Sequence, residues 1–274
     1  MEKNFQLILR HLLHINFNVP SNFDMNRKIT YKCNICENGK LKYITKYSVS
    51  QNLYQICALI FWHIIKIINC SKFFNKNFYV RCERILTNNF YFKNRYWGMC
   101  LNCNTFQVIP HLSKEELSKY YQDYGNLRPG YYSELRSNKR VIGQFNLIDK
   151  FSNLNKKNYL EYGSGNCIAL RYVLDHYNLN TITSVDPSDH TNRICSTLDI
   201  KNYSDLNKLK KNSVDFIFTS HALEHLSSLK EFLVSINTIL SSKGELFVEV
   251  PNIPDENILK NRFHLPHTYA FNLK

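Results

Sequence analysis

Four short apolar stretches in the second half of the chain, 159–162 (YLEY), 181–185 (TITSV), 214–219 (VDFIFT) and 245–250 (ELFVEV), are separated from one another by helix-length segments. This alternation narrows the choice of folds more than any other feature. Parallel strands are joined only by long crossovers, and a crossover helix must pack its apolar stripe on a face of the sheet. The expected fold class is therefore α/β, a parallel sheet covered by helices. The last crossover has the clearest stripe: Leu229, Phe232, Leu233, Ile236, Ile239 and Leu240 share one face of a 3.6-residue repeat. Lys243-Gly244 is expected to end that helix, with the glycine at positive φ.

The rest of the chain has a different texture. At 274 residues it exceeds one average domain, and 44% hydrophobic against 21% charged residues excludes a disordered or fibrous chain. The spacing predicts an N-terminal helical extension over 1–30 and a smaller domain over 31–112, which holds seven of the nine cysteines. Connecting helices are expected over 113–156. The first begins at the capping box Ser113-Lys114-Glu115-Glu116, and the second carries Leu135, Ile142, Phe145 and Ile148; a Gly/Pro turn at 125–130 separates them. The α/β domain occupies 157–274. The longest apolar run, Ile56 to Ile68, has 13 residues and includes His63 and Lys66, too short to span a bilayer. The first 14 residues are broken by Arg10, His11 and His14 and lack a secretory signal, so a cytoplasmic location is expected.

Charge is segregated. Residues 1–150 carry 22 Lys and Arg against 9 Asp and Glu, whereas 151–274 carry 13 of each, so the first half holds the whole formal +13. Such a surface suits an anionic partner: a nucleic acid, a nucleotide-linked substrate or an acidic membrane. The strong Lys, Asn and Ile bias of the chain offers a compositional explanation of the same charge.

Three motifs lie where ligands collect in open α/β sheets, at the carboxyl ends of the strands. Glu161-Tyr162-Gly163-Ser164-Gly165-Asn166-Cys167 joins the first strand to a helix, and its glycines let a ligand approach the backbone. Asp186, 25 residues after Glu161, ends the second strand, where a carboxylate can accept both hydroxyls of a ribose. As a structural alternative, Asp186 caps the next helix. The third strand delivers Ser220, His221, Glu224 and His225 to the same edge. In the first half, Cys33-x-x-Cys36 and Cys100-x-x-Cys103 can offer four thiolates to a structural zinc ion, although the 63 residues between the pairs exceed a simple ribbon. Reduced cysteines in a core are the alternative. Cys57, Cys70, Cys82 and Cys195 read as packing residues, with Cys82 able to replace a ligand as the alternative.

The set EYGSGNC, VDPS, SHALEHL, SSKGELFVEVPN and HLPHTYAFN, spread over about 157–272, resembles class I S-adenosylmethionine-dependent methyltransferases of the zinc-binding branch that acts on nucleotide sugars and surface polysaccharides. Residues 100–124 also resemble the end of that branch's zinc-binding region. The resemblance implies a Rossmann-like sheet and the cofactor S-adenosyl-L-methionine. Gly163, Ser164 and Gly165 would pass beneath the cofactor, Glu161 would support its amino end, Asp186 would bind its ribose, and Ser220 and His221 would line it. It further implies Zn2+ at Cys33, Cys36, Cys100 and Cys103, and an anionic small molecule or glycan precursor as acceptor.

An attacking hydroxyl or ring carbon must lose a proton, and imidazole accepts one near neutrality. By resemblance His267 is the base, with His225 orienting the substrate or sharing the task. The sequence departs from the family at Cys167, which replaces a glycine, and at Pro266, where relatives often carry an acid. It also ends soon after HLPHTYAFN, so the sheet is expected to lack its last two strands. Two other readings stay open: an RNA methyltransferase clamping nucleic acid with its basic half, and an inactive methyltransferase remnant.

Overall fold

A computed structural model describes residues 32–37, 39–46, 95–125, 134–253 and 267–272. The expected helix at 1–30, the run 56–68, the turn at 126–130, Cys57, Cys70, Cys82, His264 and Pro266 lie outside them.

A five-stranded, wholly parallel sheet forms from β4 (Asn158–Tyr162), β5 (Thr181–Val185), β6 (Lys201–Tyr203), β7 (Val214–Ser220) and β8 (Leu240–Glu249), in the order β6-β5-β4-β7-β8. The chain winds outward from β4 in both directions, so the strand order reverses between β4 and β7. The four expected strands are present. β6 was not expected, because three residues (KNY) carry no period for a sequence to show. Among the described residues no strand pairs with the outer side of β8.

The strands alternate their faces. Tyr159, Phe216 and Phe218 pack on one side with Val141, Phe145 and Ile148 of α2 (Glu134–Ile148), Leu170 and Val173 of α3 (Ile168–His176), and Cys195 of α4 (Asp189–Thr197). Leu160, Val185 and Ile217 pack on the other with Leu229, Phe232, Ile236 and Ile239 of α5 (Leu229–Ile239).

Two helix expectations need correction. On α2 the buried stripe is Val141, Phe145 and Ile148, while Ile142 is 45% exposed. Helix α5 ends at Ile239, with Leu240 extended as its cap, four residues before Lys243-Gly244. Gly244 does not adopt positive φ; it lies in a bulge of β8, where a Cβ would come within 2.5 Å of Leu240 Cγ. Leu233, counted in the stripe, is 51% exposed.

A second, antiparallel sheet has the order β1-β2-β3-β9, from β1 (Leu41–Lys46), β2 (Tyr96–Cys100), β3 (Phe106–Ile109) and β9 (Tyr269–Ala270). Helix α1 (Lys114–Gly125) packs Leu117 and Tyr120 against its Trp97, Phe106 and Val108. The capping box forms as expected: Glu116 N–H donates to Ser113 Oγ at 3.1 Å, and Ser113 N–H donates to Glu116 Oε2 at 2.8 Å. Strand β9 comes from the far end of the sequence, so residues 268–271 tie the small sheet to the large one. Tyr269 is fully buried with the α5 face, and Ala270 with the small-sheet core.

His111 stacks near Tyr269 at this junction, 6.3 Å between ring centroids. Among the described residues neither ring nitrogen finds a hydrogen-bond partner, and burial, with the Arg95 charge adding, lowers its pKa to about 4. The unfolded chain takes up this proton as pH falls through 6.5, and the folded chain refuses it down to about pH 4. His111 thus contributes stability that is full above pH 6.5 and lost toward pH 4, up to about 3 kcal/mol. Urea unfolding at pH 7 and 4.5 should show a smaller acid loss in His111→Leu than in the wild type; parallel losses would contradict the assignment.

Candidate functional site

Open α/β sheets place their ligand crevice where the strand order reverses, which here is at the carboxyl ends of β4 and β7. On the β4 side, Gly163 and Gly165 adopt φ of +76° and +51°, and Cys167 follows at +56° as the residue before α3. Gly163 has a second reason to lack a side chain: a Cβ there would lie 2.7 Å from the Ala222 Cβ. Cys167 takes the left-handed backbone that the glycine in its place would adopt. Its buried Sγ sits 3.7 Å from Cys195 Sγ on α4, so Cys195 packs as expected.

Asp186 closes the bend. Its Oδ2 accepts the Gly165 N–H at 3.0 Å, and its Oδ1 accepts the Ser188 N–H at 2.9 Å. The alternative role, capping α4, falls to Ser188, whose Oγ accepts the Thr191 N–H. Ser164 points inward: its hydroxyl pairs with Ser184 Oγ at 2.8 Å, so only its backbone faces the crevice side of the turn. Glu161 is buried beneath, and its Oε2 has no hydrogen-bond partner among the described residues. Burial first, and the nearby Asp186 charge second, push its carboxyl well above the usual range. A buried acid with an unsatisfied oxygen can take a hydrogen bond from a donor supplied from outside the chain.

On the β7 side, Ser220 and His221 stand at the strand tip. The Ser220 hydroxyl donates to Glu249, which also accepts from Gln144 Nε2 on α2. His221 has φ of +54°, and its N–H donates to the Glu249 carbonyl at 2.9 Å. A 3-10 turn, Leu223–His225, follows and presents Glu224 and His225. His267 arrives from the distant 267–272 segment, its ring centroid 4.7 Å from that of His225. The two predicted histidines are thus brought together.

Sequence reasoning gave no role to Glu249, Gln144 or Thr268. Glu249 was legible as a carboxylate ending the last strand, whereas Gln144 and Thr268 are placed only by tertiary packing.

The four cysteines also converge. Sγ atoms of Cys33 and Cys103, and of Cys36 and Cys100, are 3.6 Å apart, and all four lie within 4.8 Å of one another. A tetrahedral centre with Zn–S bonds of about 2.3 Å sets its sulfurs about 3.8 Å apart. Backbone N–H groups of Ile35 and Cys36 donate to Cys33 Sγ, those of Asn102 and Cys103 donate to Cys100 Sγ, and Gln107 Nε2 donates to Cys33 Sγ at 2.7 Å. Gly39 leaves the space they need, since a Cβ would come 2.1 Å from Cys100 Sγ. Burial pushes the Cys33 and Cys100 thiols up, a cost that a cation at the centre would offset. The donor set fits a zinc ion.

Residues 137–270 match a family model described as a methyltransferase domain. No curated protein matches the chain. Among solved structures, a chain from the Haloferax volcanii complex of the Trm112 methyltransferase activator with a methyltransferase is similar at 16% identity and a TM-score of 0.43, over 58% of this chain and 71% of that one. An S-adenosyl-L-methionine-dependent methyltransferase of Methanococcus maripaludis is similar at 17% and 0.39, over 50% and 65%. YcgJ of Bacillus subtilis is similar at 15% and 0.41, over 48% and 63%.

Substituting Gly163→Ala should cost about 1–3 kcal/mol in urea unfolding, from the left-handed backbone and the Ala222 contact together. Unchanged stability would contradict the geometry of the bend. The family match covers the sheet, the bend and the histidine pair, and it supports reading the chain as an S-adenosylmethionine-dependent methyltransferase.

Proposed function

We propose that the chain methylates an anionic sugar precursor, a nucleotide-linked sugar or polysaccharide building block, on oxygen or carbon. The observation that carries this reading is the contact of Asp186 with the Gly163–Gly165 bend at the strand-order reversal. Bound in the crevice, S-adenosylmethionine supplies an electrophilic methyl carbon on a sulfonium sulfur. Glu161 would face the cofactor's ammonium group, the backbone of Gly163, Ser164 and Gly165 would pass beneath it, and Asp186, keeping its backbone contacts, would accept the ribose hydroxyls. Ser220 and His221 line it from the β7 tip.

His267 would take the acceptor's proton, and His225 would orient the acceptor. Thr268 holds this arrangement: its N–H and Oγ1 both bond to the Glu224 carbonyl, at 2.7 and 3.1 Å, which fixes the His267 segment against the turn bearing His225. The basic first half draws in the acceptor's phosphates, which is why an anionic sugar precursor is favoured over a neutral one. Cys33, Cys36, Cys100 and Cys103 hold a structural zinc ion that braces β1 and β2. The zinc-bearing turn is also joined to the methyltransferase part by the Lys230–Glu37 ion pair.

A methyl-transfer assay against a panel of nucleotide sugars tests the acceptor class. Turnover on at least one of them, and none on RNA, is expected; methylation of RNA alone would replace the acceptor. His267→Gln should lower kcat by about 10²–10⁴-fold while leaving S-adenosylmethionine affinity nearly unchanged. Lost cofactor binding with unimpaired turnover would overturn the role. Metal analysis should find one zinc per chain in the purified protein, falling in Cys100→Ser; a metal-free wild type would contradict the cysteine assignment.

A further inference from the structure

Glu224 is 1% exposed, and neither of its carboxylate oxygens has a hydrogen-bond partner among the described residues. A buried carboxylate without hydrogen bonds is among the most costly groups to leave unsatisfied. The groups nearest to it are imidazoles. His221 Nδ1 lies 3.3 Å from Glu224 Oε1, and His225 Nε2 lies 3.8 Å from the same oxygen. One donor atom each from Glu224, His225 and His267 falls within 4.8 Å of the other two.

From this arrangement we infer that Glu224, His225 and His267 form a divalent-cation site in the acceptor half of the crevice, distinct from the four-cysteine centre. Its ligand set, two imidazoles and one carboxylate, suits a first-row divalent ion and leaves open positions on the side away from the protein. The site is built into the fold rather than assembled from mobile groups. Thr268, itself 2% exposed, bonds to the carbonyls of Glu224 and Leu226 and so binds the His267 segment to the turn that carries the other two ligands. His225 is 24% exposed and His221 38%, so the open side faces the crevice, where the acceptor would enter.

This inference rests on the methyltransferase reading and deepens it. The ion takes the imidazole lone pairs that a base would use, so at this site the ligand role replaces the base role of His267 given above, while the cofactor half of the reading is unchanged. With the ion bound, the acceptor hydroxyl ligates it and loses its proton to solvent as the S–CH3 bond breaks and the O–CH3 bond forms, leaving the neutral thioether. The ion thus selects acceptors that offer an oxygen ligand, hydroxyls over ring carbons.

The test is a Mn2+ titration of the full chain, its cysteine centre first loaded with zinc and the excess removed, followed by the EPR signal of free Mn2+. One Mn2+ per chain is expected. Glu224→Gln and His267→Gln should each weaken it at least about tenfold, and Asp175→Asn, which alters an exposed carboxylate elsewhere, should not. S-adenosylmethionine calorimetry on the same proteins checks that the variants are folded. Absence of a Mn2+ site in wild type that binds S-adenosylmethionine, or a site that folded Glu224→Gln leaves intact, would overturn the inference alone. Loss of cofactor binding in the wild type would instead sink the methyltransferase reading on which it rests.

Discussion

The hydrogen bond from the Gly165 amide to the Asp186 carboxylate is the constraint on which the crevice depends. It spans the carboxyl ends of β4 and β5 and holds a left-handed bend against the end of its neighbouring strand. Two glycines and one cysteine accept positive φ to make the bend, and Gly163 lets the Ala222 turn approach from β7. The acid below, Glu161, is left buried and partly unsatisfied. Such local discomfort in an otherwise well-packed sheet is where binding energy is usually directed.

A second constraint comes from the end of the described chain. Residues 268–271 pair with β3, bury Tyr269 against the α5 face and bond to the Glu224 and Leu226 carbonyls. One segment therefore brings the cysteine-bearing sheet to the parallel sheet and delivers His267 to the crevice. Packing and chemistry share the same residues here. A change that loosens β9 should disturb the site as well as the small domain, without touching a reacting group.

Much of this was legible in the sequence. The period of short apolar runs and helix-length spacers identified the parallel sheet, because burial on both faces leaves a continuous apolar signal. The capping box marked the start of α1 because its bonds are local. The end of α5 was misplaced because Leu240 continues the helical period while its backbone is already extended, and Gly244 serves a bulge instead of a cap. Strand β6 was missed for being three residues long. The candidate residues Asp186, Gly163 and Gly165 could be read from their places at strand ends. The clustering of Glu224 with His267 could not, since the two lie more than forty positions apart and are brought together by tertiary contacts such as the Thr268 bonds. Ser164 shows the converse: a residue within the motif whose hydroxyl is spent on Ser184.

The central claim is that the bend and the Asp186 carboxylate together hold an adenosyl cofactor. Titration calorimetry of S-adenosylmethionine into the wild type and Asp186→Ala tests it most directly. The account predicts a single cofactor site in the wild type, weakened at least about tenfold in the variant by loss of the charge-assisted bonds to the ribose. No binding by folded wild type, or equal affinity in both proteins, would contradict it.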